Sequence, residues 1–249
     1  MKPVLVVTYL QDRNTGLVRT CLETAGCEVL QVDKVDGGRL PAVSEVAGVV
    51  SMGGRESATR VDEDAFLCAV VELMAQALER QVPVFGLCLG AQLLAVAGGG
   101  RVSAIGRMVA DWEPVSTRPE AAGDPVFDAL PDGLTVLKWH EDMIELPPGA
   151  TTLATAPGPG AAVFRVGEHA WGSQPHLEVT PHLLLDTWLA DPSSAAEIEG
   201  AGHPIDEFRA LSRRALERQI PAGQAVFSRF GAALSGQTAD GRRSDSRRR

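Results

Sequence analysis

Val82-Pro83-Val84-Phe85-Gly86-Leu87-Cys88-Leu89-Gly90-Ala91-Gln92-Leu93-Leu94-Ala95 reads as a short buried strand that turns sharply at one thiol and continues as a helix. Val82, Val84 and Phe85 suit a strand covered on both faces, and residues 89–97 are good helix formers with no proline among them. Gly86 and Gly90 flank Cys88 two residues away on each side, as a tight turn requires when backbone must approach backbone without a Cβ between. A thiol in the first turn of a helix faces unpaired N–H groups and the positive end of the helix dipole, and both favour thiolate. The same N–H groups can hold an oxyanion, so one turn offers a nucleophile and half of a transition-state clamp. A lone cysteine is most often a buried structural residue; the flanking glycines argue for the reactive reading.

Outward from this turn, residues 4–9 read as a first strand and 16–25 as a helix, with Leu17, Val18, Cys21 and Leu22 at helical spacing and Gly26 closing it. Residues 27–32 and 46–52 read as two further strands. This order predicts an α/β fold with an open, mostly parallel, doubly wound sheet flanked by helices. The third strand ends in Ser51-Met52-Gly53-Gly54-Arg55-Glu56-Ser57, a Gly-Gly at the carboxyl end of a central strand, where such sheets build their sites. An ordinary Gly-Gly turn explains that segment equally well by itself. Residues 62–80 carry the apolar stripe of an amphipathic helix, Phe66, Leu67, Val70, Leu73 and Met74. Residues 109–115 and 134–139 read as strands, 119–130 as a loop with a helical turn, and His140 falls at a strand end. Residues 191–203 read as a surface connection, and 205–234 as one or two helices broken at Pro221.

A second chemical segment is Gly172-Ser173-Gln174-Pro175-His176-Leu177-Glu178. Residues two apart in an extended chain point the same way, so His176 and Glu178 stand side by side. A cysteine nucleophile needs an imidazole to take and return a proton, and the imidazole needs a carboxylate to hold its tautomer.

The Gly-Gly, the cysteine turn and the His-x-Glu, in that order, resemble the class I glutamine amidotransferases, above all stand-alone relatives of the glutamine-hydrolysing domain of GMP synthetase. The resemblance covers about residues 45–190 and implies a flavodoxin-like fold. It makes Cys88, His176 and Glu178 the catalytic residues, and the N–H groups of Gly54 and Leu89 the oxyanion hole. Gln92, Gly53 and His140 would contact or border the substrate. It implies no cofactor and no metal. The implied reaction is hydrolysis of the glutamine side-chain amide through a thioester, with ammonia passing to an acceptor synthetase on a separate chain, since no phosphate-binding loop occurs here. Two alternatives remain open: a γ-glutamyl peptide or amide hydrolase with the same triad, and a catalytically silent regulatory subunit. The motif orders of α/β-hydrolases and papain-type proteases do not fit. Four positions depart from the family pattern: Arg55 replaces proline, Pro175 phenylalanine, Leu177 proline, and Ala162 stands in a segment where relatives carry glutamine.

With 249 residues, 45% of them hydrophobic, the chain can bury a sizeable core. The expected division is an amidotransferase-like domain at 1–190, a helical extension packed on it at 191–235, and a disordered basic tail at 236–249. Five arginines against two aspartates give that tail +3 and leave −12 of the net −9 to residues 1–235. An acidic body argues against nucleic-acid and membrane-surface binding. Residues 4–7 are too short for the apolar region of a signal peptide, and the expected compartment is the cytoplasm. There Cys21, Cys27, Cys68 and Cys88 read as reduced thiols, without the paired spacing of a zinc site.

Overall fold

The computed structural model describes residues 2–234; the expected tail at 236–249 lies outside them. In chain order the elements are β1 (Val4–Thr8), α1 (Leu17–Thr24), β2 (Val29–Asp33), β3 (Gly48–Ser51), α2 (Ala65–Glu79), β4 (Val84–Leu87) and α3 (Leu89–Ala97). They continue as β5 (Arg101–Pro114), β6 (Ser116–Thr117), β7 (Thr135–Glu145), β8 (Thr151–Thr155), β9 (Val163–Val166), β10 (Ala170–Ser173), α4 (Pro192–Gly200) and α5 (Ile205–Leu234). The main sheet has the order β2-β1-β3-β4-β10-β9-β8-β6. It is parallel from β2 through β10 and antiparallel from β10 to β6. The strands β5 and β7 form a separate antiparallel ribbon.

Alternation along β1 sorts the core into two layers. Val4 and Val6 face one side, packed with α1 and the C-terminal half of α5. Leu5 and Val7 face the other, against α2 and α3. On the first side the Phe85 ring of β4 meets Phe127, Phe227 and Phe230 at centroid distances of 5.7, 5.3 and 5.4 Å. Such contacts add to the area these rings bury, and they tie α5 to the strand that leads to Cys88. A third cluster joins the ribbon to α4, α5 and the turns after residue 182.

Four expectations change. Helix α2 begins at Ala65 rather than 62, because Asp64 caps it by accepting the N–H groups of Phe66 and Leu67 at 3.0 and 3.1 Å. His140 lies inside a strand, not at its end, since β5 continues pairing past Val109↔His140 as far as Arg101↔Glu145. The connection at 191–203 contains α4, started by Asp191, which accepts the Ser193 N–H at 3.0 Å, and by proline at the first helical position. Finally, α5 runs through Pro221, which is exposed. Among the described residues no helix is long and apolar enough to cross a membrane.

Candidate active site

The β4–α3 turn holds Cys88 at φ 49° and ψ −105°, a positive φ that costs a residue with a Cβ about 1–2 kcal/mol. The turn is pinned on both sides. Cys88 N–H donates to Ser173 O at 2.8 Å, and Gly90 N–H donates to Met52 O at 3.1 Å, so the thiol-bearing turn is stitched between β10 and β3. The glycines permit this closeness: a Cβ on Gly90 would fall 2.0 Å from Ser51 O, and one on Gly86 2.4 Å from Gly90 O. Among the described residues the N–H groups of Leu89 and Gly54 make no hydrogen bond, and both residues line one cleft with Cys88.

The chain leaving β10 delivers His176. Its N–H donates to Leu137 O at 2.8 Å, a single antiparallel bridge to β7. Its buried ring places Nδ1 2.7 Å from Glu178 Oε1, and the Cys88 thiol lies beside it while donating to Trp139 O at 3.6 Å. Ring and thiol stand over Gly53, where a Cβ would come 2.9 Å from His176 Cε1 and 3.5 Å from Cys88 Cβ. Burial pushes the His176 pKa down, but the Glu178 carboxylate and the Cys88 sulfur push it up, and the net shift is well above the ordinary imidazole value. The Trp188 ring meets His176 edge-on at 5.2 Å.

His140 also lines the cleft, and burial pushes its pKa down to about 4, against the pull of the Asp142 carbonyl that receives Nδ1 at 2.8 Å. Its ring is therefore neutral at pH 7, and Nε2 is buried without a partner among the described residues. Gln92, one turn into α3, lines the cleft and donates through Nε2 to Gln174 Oε1 at 3.3 Å. The structure thus gathers Cys88, His176, Gly53, Gly54, Leu89, Gln92 and His140 around one cleft of about 540 Å3, with Glu178 directly behind the imidazole. Ala162 is not on its wall; its carbonyl accepts the Gln174 N–H at 2.8 Å.

Three features escape the sequence reading. Gln219 of α5 is fully buried and takes the Leu137 N–H on Oε1 at 3.0 Å while donating to His176 O at 3.0 Å, so it braces the backbone that carries the imidazole. Its signal was available, for it falls in phase with the buried Leu216 and Gly223. Arg55 crosses to α4, donating to Glu197 at 2.7 Å, Ser194 at 2.7 Å and Asp191 at 3.3 Å. Trp139 Nε1 donates to the other oxygen of Glu197 at 2.8 Å, which fixes an aromatic wall of Trp139 and Trp188.

The family model Glutamine amidotransferase class-I matches residues 7–192. The chain belongs to the class I glutamine amidotransferases. It is 36% identical to the glutamine-hydrolysing GMP synthase of Thermomicrobium roseum over 176 residues, 68% of this chain and 31% of that protein. It is 30% identical to the putative glutamine amidotransferase-like protein YfeJ of Salmonella typhimurium over 185 residues, 72% of this chain and 77% of that one. The match thus spans about a third of the GMP synthase and most of YfeJ. Among solved structures, a glutamine amidotransferase from Methylobacillus flagellatus superposes with a TM-score of 0.82 at 21% identity over 99% of both chains. One from Thermotoga maritima gives 0.80 at 22% identity over 93% of this chain and 99% of that one. These share the fold, a mostly parallel central sheet flanked by helices.

Proposed function

We propose that this protein hydrolyses the side-chain amide of glutamine or of a γ-glutamyl compound through a thioester on Cys88. The sulfur attacks the amide carbon, and the N–H groups of Gly54 and Leu89 receive the oxyanion. His176, held by Glu178, protonates the departing nitrogen; it then takes a proton from the water that adds to the thioester, and glutamate leaves as the thiolate is restored. The observation that carries this reading is the meeting of a positive-φ cysteine at a helix start with an imidazole bonded through Nδ1 to a buried carboxylate.

Where ammonia is the product, it is useful only to an acceptor, which we assign to a synthetase on a separate chain. The size of the cleft favours the γ-glutamyl reading beside it, because about 540 Å3 lies in the range of pockets that hold drug-sized ligands. Glutamate release from L-glutamine and from γ-glutamyl amides, by the protein and by Cys88→Ala, tests the proposal together with labelling by diazo-oxo-norleucine. The expected outcome is release and a Cys88 adduct in the unaltered protein, with both lost in the variant. Folded protein that neither releases glutamate nor is labelled would instead establish the silent-subunit alternative.

A further inference from the structure

We propose that the amide cut at this site carries a cationic amine as its leaving group, making the substrate a γ-glutamyl derivative of a diamine or polyamine. This rests on the hydrolase reading above and specifies the far end of the substrate.

Six carboxylates line the cleft: Asp12, Glu56, Glu141, Asp142, Asp191 and Glu197. The one guanidinium among the lining residues, Arg55, is already engaged by Asp191 and Glu197. Lys34, behind the wall, serves Glu56 and Asp64. Asp12 and Asp142 receive side-chain hydrogen bonds from neutral donors only, Trp188 Nε1 at 3.2 Å and Ser57 Oγ at 2.6 Å. No described cation pairs with Asp12, Glu141 or Asp142, so among the described residues the cleft wall carries more negative than positive charge.

A second feature points the same way. His140 is more than nine-tenths buried on the cleft wall, with Nδ1 committed to the Asp142 carbonyl and Nε2 without a partner among the described residues. A neutral ring whose Nδ1 donates offers at Nε2 only a lone pair, so the unmet need is for an N–H donor. The Trp139 and Trp188 rings on the same wall suit a methylene chain that ends in an ammonium. Ammonia as leaving group needs none of this, and an anionic leaving group would be repelled. The chemistry balances without any co-reactant except water: Cys88 Sγ bonds the γ-carbonyl carbon as the C–N bond breaks, His176 gives its proton to the amine, and water cleaves the thioester to glutamate.

Calorimetric binding to Cys88→Ala tests the preference apart from turnover, using three ligands of similar length: γ-glutamyl-1,4-diaminobutane, γ-glutamyl-butylamine and γ-glutamyl-4-aminobutyrate. The cationic ligand is expected to bind about tenfold tighter than the neutral one. The anionic ligand should bind weakest, and the gap should narrow in high salt and in an Asp12→Asn, Asp142→Asn double variant. Equal binding of the neutral or anionic ligand overturns the inference. Glutamate release from the same compounds by the unaltered protein reports separately: preferential binding without cleavage overturns the hydrolase reading, whereas cleavage without preference overturns only the charge specificity.

Discussion

Glu178 sits almost wholly out of solvent with one oxygen on His176 Nδ1. That bond decides which imidazole nitrogen faces the sulfur. Glu178→Gln keeps the shape but can present its amide N–H to Nδ1 and reverse the tautomer, so kcat should fall by about two to four orders of magnitude with little change in fold. Glutamate release and circular dichroism on the same sample check this. His140 and His176 act on stability in opposite senses. The His140 pKa is depressed in the folded chain, to about 4. Below pH 6.5 the unfolded chain takes up a proton that the folded one refuses until near pH 4, so stability is lost as pH falls through that window. His176 has a raised value, so its contribution is present below pH 6.5 and lost as pH rises through its folded value. Urea unfolding at pH 7 and pH 4.5 should therefore show His140→Asn losing about 2–3 kcal/mol less on acidification than the unaltered protein.

Among the elements, the β4–α3 turn was legible because its demands are local. Only glycine tolerates the approach of Ser51 O to residue 90, and the sequence carries glycine there. The His-x-Glu segment was legible for the same reason, since two-residue alternation needs no knowledge of partners. The extent of β7 was not, because beyond His140 it depends on β5 residues that pair across large stretches of chain, from Val109↔His140 to Arg101↔Glu145. The start of α4 was hidden in a composition that reads as loop, although Asp191-Pro192 is a helix-start signal in its own right. Gln219 is the clearest case: its periodicity marked it as buried, but only the fold shows that it links β7 and the His176 backbone. Gln219→Leu strands one buried N–H and one buried C=O, with an expected loss of about 2–4 kcal/mol. Displacement of His176 should also lower kcat about ten- to a hundredfold with KM nearly unchanged. Urea unfolding and steady-state kinetics separate the two effects.

Across the whole molecule, Arg55 connects the loop after β3 to α4, more than 130 positions later in the chain. The sequence marked Arg55 as a departure from the family pattern; what it holds required the fold, because both of its carboxylate partners lie in a segment read as a plain connection. Its side chain is about half exposed, so Arg55→Ala should change stability by under about 1 kcal/mol. The same variant frees Glu197 and with it the Trp139 wall, and KM for L-glutamine, which brings no cationic leaving group, should rise several-fold while kcat holds. Unfolding midpoints and steady-state kinetics on one preparation distinguish these outcomes.

Helix α5 closes one face of the sheet with Phe227 and Phe230 and reaches Leu137 and His176 through Gln219, yet it begins beyond residue 192, where the family match stops. A polypeptide trimmed to those borders would bare the aromatic patch around Phe85 and release the imidazole's anchor in one cut. Chimeras that graft this amidotransferase domain onto a further module must therefore carry the terminal helix along, as part of the unit that holds the cleft rather than as a disposable appendage.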